Sequence, residues 1–168
     1  MKTAEKYYKR FYREISKYKT KIHNLNSGIS EDCICRFEDM YNINLPYYYR
    51  EWLKMNNGGE LFTGIGGTIL AGIADQTMQY GDLEVADNFN VTKRLPGMPD
   101  YLFFLARTED GDWIGYDLNH TDSMDGKVIY WDTMEKKVTS EWDNFAQWLE
   151  DEMAYWKEMV DYDGKKKE

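Results

Sequence analysis

Cysteine, histidine and proline are scarce in this sequence, and long apolar runs are missing. Cys33 and Cys35 are the only cysteines in 168 residues, which excludes a disulfide scaffold and fits a reducing compartment. His23 and His120 are the only histidines, which leaves imidazole chemistry little material. The longest apolar run, Tyr101 to Ala106, has six residues. A spanning helix needs about 20, so helical membrane insertion is excluded. The first six residues, Met1-Lys2-Thr3-Ala4-Glu5-Lys6, turn charged where a signal peptide carries its apolar stretch. The expected compartment is therefore the cytoplasm.

What is present suits one folded domain. Apolar residues make up 42% and aromatics 16% of a 20.0 kDa chain, enough for a core without staples. Acids outnumber bases 30 to 21, a net charge of -9. The distribution is uneven. Residues 1–25 hold eight bases and two acids, and residues 164–168 hold three lysines and one glutamate. Residues 26–163 therefore carry 10 bases and 27 acids, a net charge of -17. Such a body repels phosphate backbones, which makes nucleic acid a poor partner, and it attracts basic proteins. Solubility alone is the other account of that charge.

Periodicity divides the chain. Tyr8, Phe11, Ile15, Tyr18 and Ile22 recur at spacings of three and four, which predicts an amphipathic helix over residues 1–25 with Lys9, Arg13, Lys17 and Lys21 on its solvated back. This basic helix is expected to pack on a single domain spanning 26–163. Ser30 is placed to cap a second helix, whose face is Ile34, Phe37, Met40 and Tyr41. Pro46 opens a third helix. Gly58 and Gly59 close it, as residues that accept left-handed backbone. Strands are then expected over 60–63, 68–73, 101–106, 112–118, 127–132 and 136–139, with Asp110-Gly111 and Asp125-Gly126 as turns. Asp82 would cap a short intervening helix. Ser140 and Asp143 mark the start of a closing helix with Phe145, Leu149, Met153, Trp156 and Val160 on one face. The tail, 164–168, is expected to fray. Helices, then hairpin-linked strands, then a helix give an α+β fold. Its sheet is mainly antiparallel, of about five or six strands, packed with the N-terminal and C-terminal helices.

Catalytic and metal motifs are thin. His120 lies in the acidic stretch Asp117 to Asp122, but the calcium-loop pattern needs glycine where Asp122 stands. Cys33 and Cys35, two apart on a helix, face different ways and cannot share a metal; at least one is expected to be buried packing. No serine sits in a nucleophile elbow. Thr63-Gly64-Ile65-Gly66-Gly67-Thr68 is glycine-rich but precedes strand-like residues and has no lysine near it, so it reads as a turn or bulge rather than a phosphate cradle. No cofactor, metal site or catalytic residue is expected, and the chain is read as a non-enzyme.

One stretch is dense in a different chemistry. From Glu109 to Glu135 there are eight acids and one lysine, with Trp113, Tyr116, Tyr130 and Trp131 among them. Carboxylates around aromatic anchors suit a basic protein partner. Asp110, Asp112, Trp113, Asp117, Asp122 and Asp125 are the candidate contacts. The competing account makes the aromatics core and the acids turn residues.

The run Ile29-Ser30-Glu31-Asp32, then Phe37-Glu38, Leu45-Pro46-Tyr47-Tyr48-Tyr49 and Asn56-Asn57-Gly58-Gly59 resembles the SUKH superfamily, which includes yeast regulators of cell-wall glucan synthesis and many bacterial proteins. The strand ending at Asp117, the strand Gly126 to Trp131 and the helix entered through Ser140 and Phe145 are similar to its later part. The resemblance covers roughly residues 29–152. It implies a non-enzymatic α+β protein. It also implies a role common among bacterial members, that of an immunity protein binding a polymorphic toxin such as a nuclease, as a monomer or weak homodimer. The alternative it implies is a regulatory adaptor like the yeast proteins.

Overall fold

A computed structural model describes residues 4–74, 86, 89–90, 94–120 and 126–168. Four helices are present among them: α1 (Ala4–Ile15), α2 (Glu31–Tyr41), α3 (Tyr47–Met55) and α4 (Phe145–Met159). Seven strands form one sheet: β1 (His23–Leu25), β2 (Gly59–Leu61), β3 (Thr68–Leu70), β4 (Leu102–Thr108), β5 (Trp113–Asp117), β6 (Val128–Asp132) and β7 (Lys137–Trp142). Each strand pairs antiparallel with the next in sequence, so the sheet is a meander. The α+β class holds, with one or two strands more than expected.

The extra strand comes from the end of the first predicted helix. The helix stops at Ile15, and His23, expected to end it, instead opens β1 against Leu61. Tyr18 and Ile22 keep their buried positions through a short 3₁₀ turn. The last strand is longer than expected, reaching Trp142, so Ser140 lies in the sheet. Asn144 caps α4 in its place, accepting the Gln147 N–H at 3.0 Å, while the Gln147 side chain accepts the Asp143 N–H at 3.2 Å. Ser30 does cap α2, accepting the Cys33 N–H at 3.3 Å. Met40, expected on the buried face of α2, is 43% exposed. Cys33 is half-buried and Cys35 exposed, so neither is core packing. The tail is not without backbone partners. The Lys167 N–H donates to Met159 O at 2.9 Å, and Lys165 and Lys166 turn back on Asp161 and Val160. The helix expected after Asp82 lies outside the described residues.

The core is aromatic and layered. A line of ring contacts runs from β5 to α1: Tyr116 to Tyr49 at 5.6 Å, Tyr49 to Phe145 at 5.2 Å, Phe145 to Trp52 at 5.6 Å, and Trp52 to Phe11 at 5.2 Å. Helices α3 and α4 thus cover one face of the sheet, and α1 lies over both. On the opposite face Trp113 packs between Phe104 and Phe89. The basic N-terminal segment leans on acids: Arg10 of α1 pairs with Glu150, and Lys19, beyond the helix, with Asp163 at 2.9 Å.

The geometry of the α2–α3–β2 segment has local causes. Glu38 accepts the Leu45 N–H at 2.6 Å and pairs with Arg50, which also reaches Glu31. It thereby fixes the α2–α3 corner. Asn57, 3% exposed, takes both backbone groups of Ile73, at 2.8 and 2.9 Å. Helix α3 ends in extended backbone at Asn56 rather than in a left-handed cap. Gly58 is left-handed for another reason: a Cβ there would stand 2.5 Å from the Gly72 nitrogen.

Candidate functional site

A meander sends alternate turns to opposite ends of the sheet. The β2–β3 turn (62–67), the β4–β5 turn (109–112) and the β6–β7 turn (133–136) therefore share one end. Three side chains stitch them together. Glu109 accepts the N–H groups of Gly64 at 2.7 Å and Gly66 at 3.0 Å. The glycine loop, read above as a turn, thus has its amide nest filled by the chain's own carboxylate. Asp112 accepts the Thr133 N–H at 2.9 Å and the Tyr130 hydroxyl at 2.8 Å. Burial, and then this carboxylate, push the Tyr130 phenol far above its usual range, so it stays a neutral donor. The Thr133 hydroxyl closes the circuit by donating to Gly111 O at 2.8 Å.

The six predicted contacts do not form one constellation. Asp110 is exposed at the three-turn end. Asp112 lies there too, but half-buried and occupied as a turn brace. Trp113 is 5% exposed, a core residue, and so is no anchor for a partner. Asp117 is at the far end of β5, about 17 Å along the strand, where it accepts the Asn119 N–H at 2.9 Å. Asp122 and Asp125 lie outside the described residues. Of the other aromatics in the acidic stretch, Tyr116 and Trp131 are core and Tyr130 is half-buried.

What the sequence did not single out is a groove beside Asp110. It runs between α4 and the helix-side face of β6 and β7, with a volume of about 460 Å³. Tyr130, Trp142, Tyr155 and Trp156 supply aromatic walls; Asp110, Asp151 and Glu152 supply carboxylates; among the described residues no base lines it. Each α4 carboxylate is held by a neutral donor. Asp151 accepts the Trp142 indole N–H at 2.7 Å. Glu152 accepts the Trp156 indole N–H at 2.9 Å and the Thr68 hydroxyl at 2.5 Å. These bonds orient the carboxylates without cancelling their charge. A second cleft, of about 400 Å³ between α1 and α4, differs in this respect. Its Arg10 and Lys157 already pair with Glu150 and Glu14. Among the described residues no cluster of His, Cys, Asp and Glu is arranged to hold a metal ion, and no helix is long and apolar enough to cross a membrane.

The sequence signals for α4 were its buried stripe and its cap. Asp151 and Glu152 carry no signal of their own in the sequence, and only the placement of α4 across the sheet brings them together with Asp110.

Comparison with other proteins agrees with this architecture. A solved structure of a protein from Pseudomonas syringae pv. tomato is similar to this fold, with a TM-score of 0.58 and 16% identity over 85% of this chain and 96% of that one. Among curated proteins none matches. The profile of the SMI1 / KNR4 family (SUKH-1) matches residues 28–151, which take in α2, α3, the meander from β2 to β7 and the first half of α4. On that match the chain belongs to the SMI1/KNR4 (SUKH-1) family.

Proposed function

We propose that this protein is an immunity protein that neutralises a bacterial polymorphic toxin, such as a nuclease, by direct stoichiometric binding in the cytoplasm and without catalysis. The observation that carries the proposal is the uncompensated acidic groove between α4 and the sheet, opening beside Asp110. Family membership supports it, because bacterial relatives commonly have this role. A nuclease presents a basic surface to nucleic acid, and a fixed array of carboxylates occupies such a surface as phosphates do.

The test has two stages. Partners are captured from the host on the tagged chain at moderate salt, and the C-terminal domain of each is then expressed with and without this protein. Expected is one basic domain that arrests growth alone and is harmless when co-expressed. Its association rate with the purified chain should fall steeply as salt rises. Several sub-stoichiometric partners, none of them toxic, would favour the adaptor reading instead.

A further inference from the structure

We propose that the groove between α4 and the β6–β7 face is a receptor for one arginine side chain of a basic protein partner. This rests on the binding reading above and names the chemistry of its central contact. Charge decides the sign of the occupant. Three carboxylates line the groove with no base, and none of them has an ion pair among the described residues. Glu152 is half-buried while Asp110 and Asp151 are exposed at the groove rim, and carboxylates left without a counter-ion gain most from a cation that brings its own donors.

The walls decide which cation. Trp142 is half-buried and Tyr155 is 53% exposed, one on β7 and the other on α4, and both line the groove. Aromatic faces and carboxylates in one slot suit a planar guanidinium, which stacks and forks at once; an ammonium group can only act as a point charge. The slot is also set in advance. Trp142 fixes Asp151, and Trp156 with Thr68 fixes Glu152, so little ordering remains to be done when the guest arrives.

The probes are acetyl-Gly-Arg-Gly-amide and its citrulline and lysine counterparts, titrated into the full chain while the indole N–H signals of Trp142 and Trp156 are followed by NMR. The arginine peptide is expected to shift both signals saturably. The uncharged citrulline peptide should bind about tenfold more weakly, and the lysine peptide in between. Glu152→Gln keeps the acceptor for Trp156 and Thr68 but removes the charge; with Asp151→Asn it should weaken the arginine peptide about tenfold. Tyr155→Ala, at an exposed helix position, gives the same direction with no threat to folding. Equal binding of arginine and citrulline, equal binding of arginine and lysine, or indifference to all three substitutions would overturn the proposal. If the triple variant protects against a captured toxin as well as the unmodified chain does, the arginine receptor fails while the immunity reading stands. If the arginine peptide binds as expected but no captured domain is toxic, the reverse holds.

Discussion

At the scale of single residues, the side chains that matter most are polar ones placed where the backbone needs a partner. Glu38 is the clearest. Burial raises its carboxyl above the usual value of 4.5, against the pull of the Leu45 N–H. It still serves Leu45 and Arg50 together. Glu38→Ala strands the Leu45 backbone donor and leaves the Arg50 guanidinium with Glu31 as its remaining carboxylate, and should cost about 1–3 kcal/mol in urea unfolding. Tyr116 is the opposite case. Its hydroxyl is buried with no partner among the described residues, so Tyr116→Phe should leave the urea midpoint unchanged or raise it. A clear loss would mean that the hydroxyl has a partner after all. His23 gives the pH dependence. Its Nδ1 is buried without a partner among the described residues, and burial holds the imidazole below its ordinary 6.5. The unfolded chain then takes up a proton at higher pH than the folded one. Stability should therefore fall as pH drops through and below 6.5, and His23→Gln should flatten that fall between pH 7.5 and 5.5.

At the scale of elements, the helices were legible because apolar spacing and caps are local. Ser30 and the Phe145–Leu149–Met153–Trp156 stripe both do what their spacing predicts. The misreadings came where tertiary pairing overrode local pattern. Tyr18 and Ile22 continue a helical spacing, yet they are buried through a turn, because His23–Leu25 is needed to pair with β2. Ser140 resembles a cap but belongs to β7. Asn144 does the capping, and Asn144→Ala should lower stability by about 1 kcal/mol, a shift of roughly 2–4 °C in melting temperature. In the acidic stretch the Asp110-Gly111 turn lies where the sequence predicts it, but the aromatics are divided by the pleat. Trp113 points to the face covered by Phe89, and Tyr130 to the face covered by α4. Sequence alternation shows that two faces exist; it does not show which one meets the groove.

At the scale of the whole molecule, the basic N-terminal segment is part of the core rather than an appendage. Phe11 is 5% exposed and meets Trp52 edge-to-face. Phe11→Ala should cost about 3–5 kcal/mol while unfolding remains a single transition. A loss below about 1 kcal/mol would mean that α1 is dispensable. The same placement separates the charges of the chain. The bases of the N-terminal segment are partly spent on Glu150 and Asp163, while the groove carboxylates have no ion pair among the described residues. That division of the helix into a neutralised side and a charged side was invisible in the charge count, which treats residues 1–25 and 26–163 as separate blocks.

The packing of α1 on α4 also sets an order of events during synthesis. The apolar face of α1 leaves the ribosome early, but one of the two helices it docks against lies some 130 positions further along. At about 5–20 residues per second, that is roughly 7–26 s in which Tyr8, Phe11 and Ile15 lack their full cover. The groove has the same requirement, since two of its three carboxylates lie on α4. Under the immunity role proposed above, a nascent chain is not yet a binder, so finished copies must be present before the toxin is made.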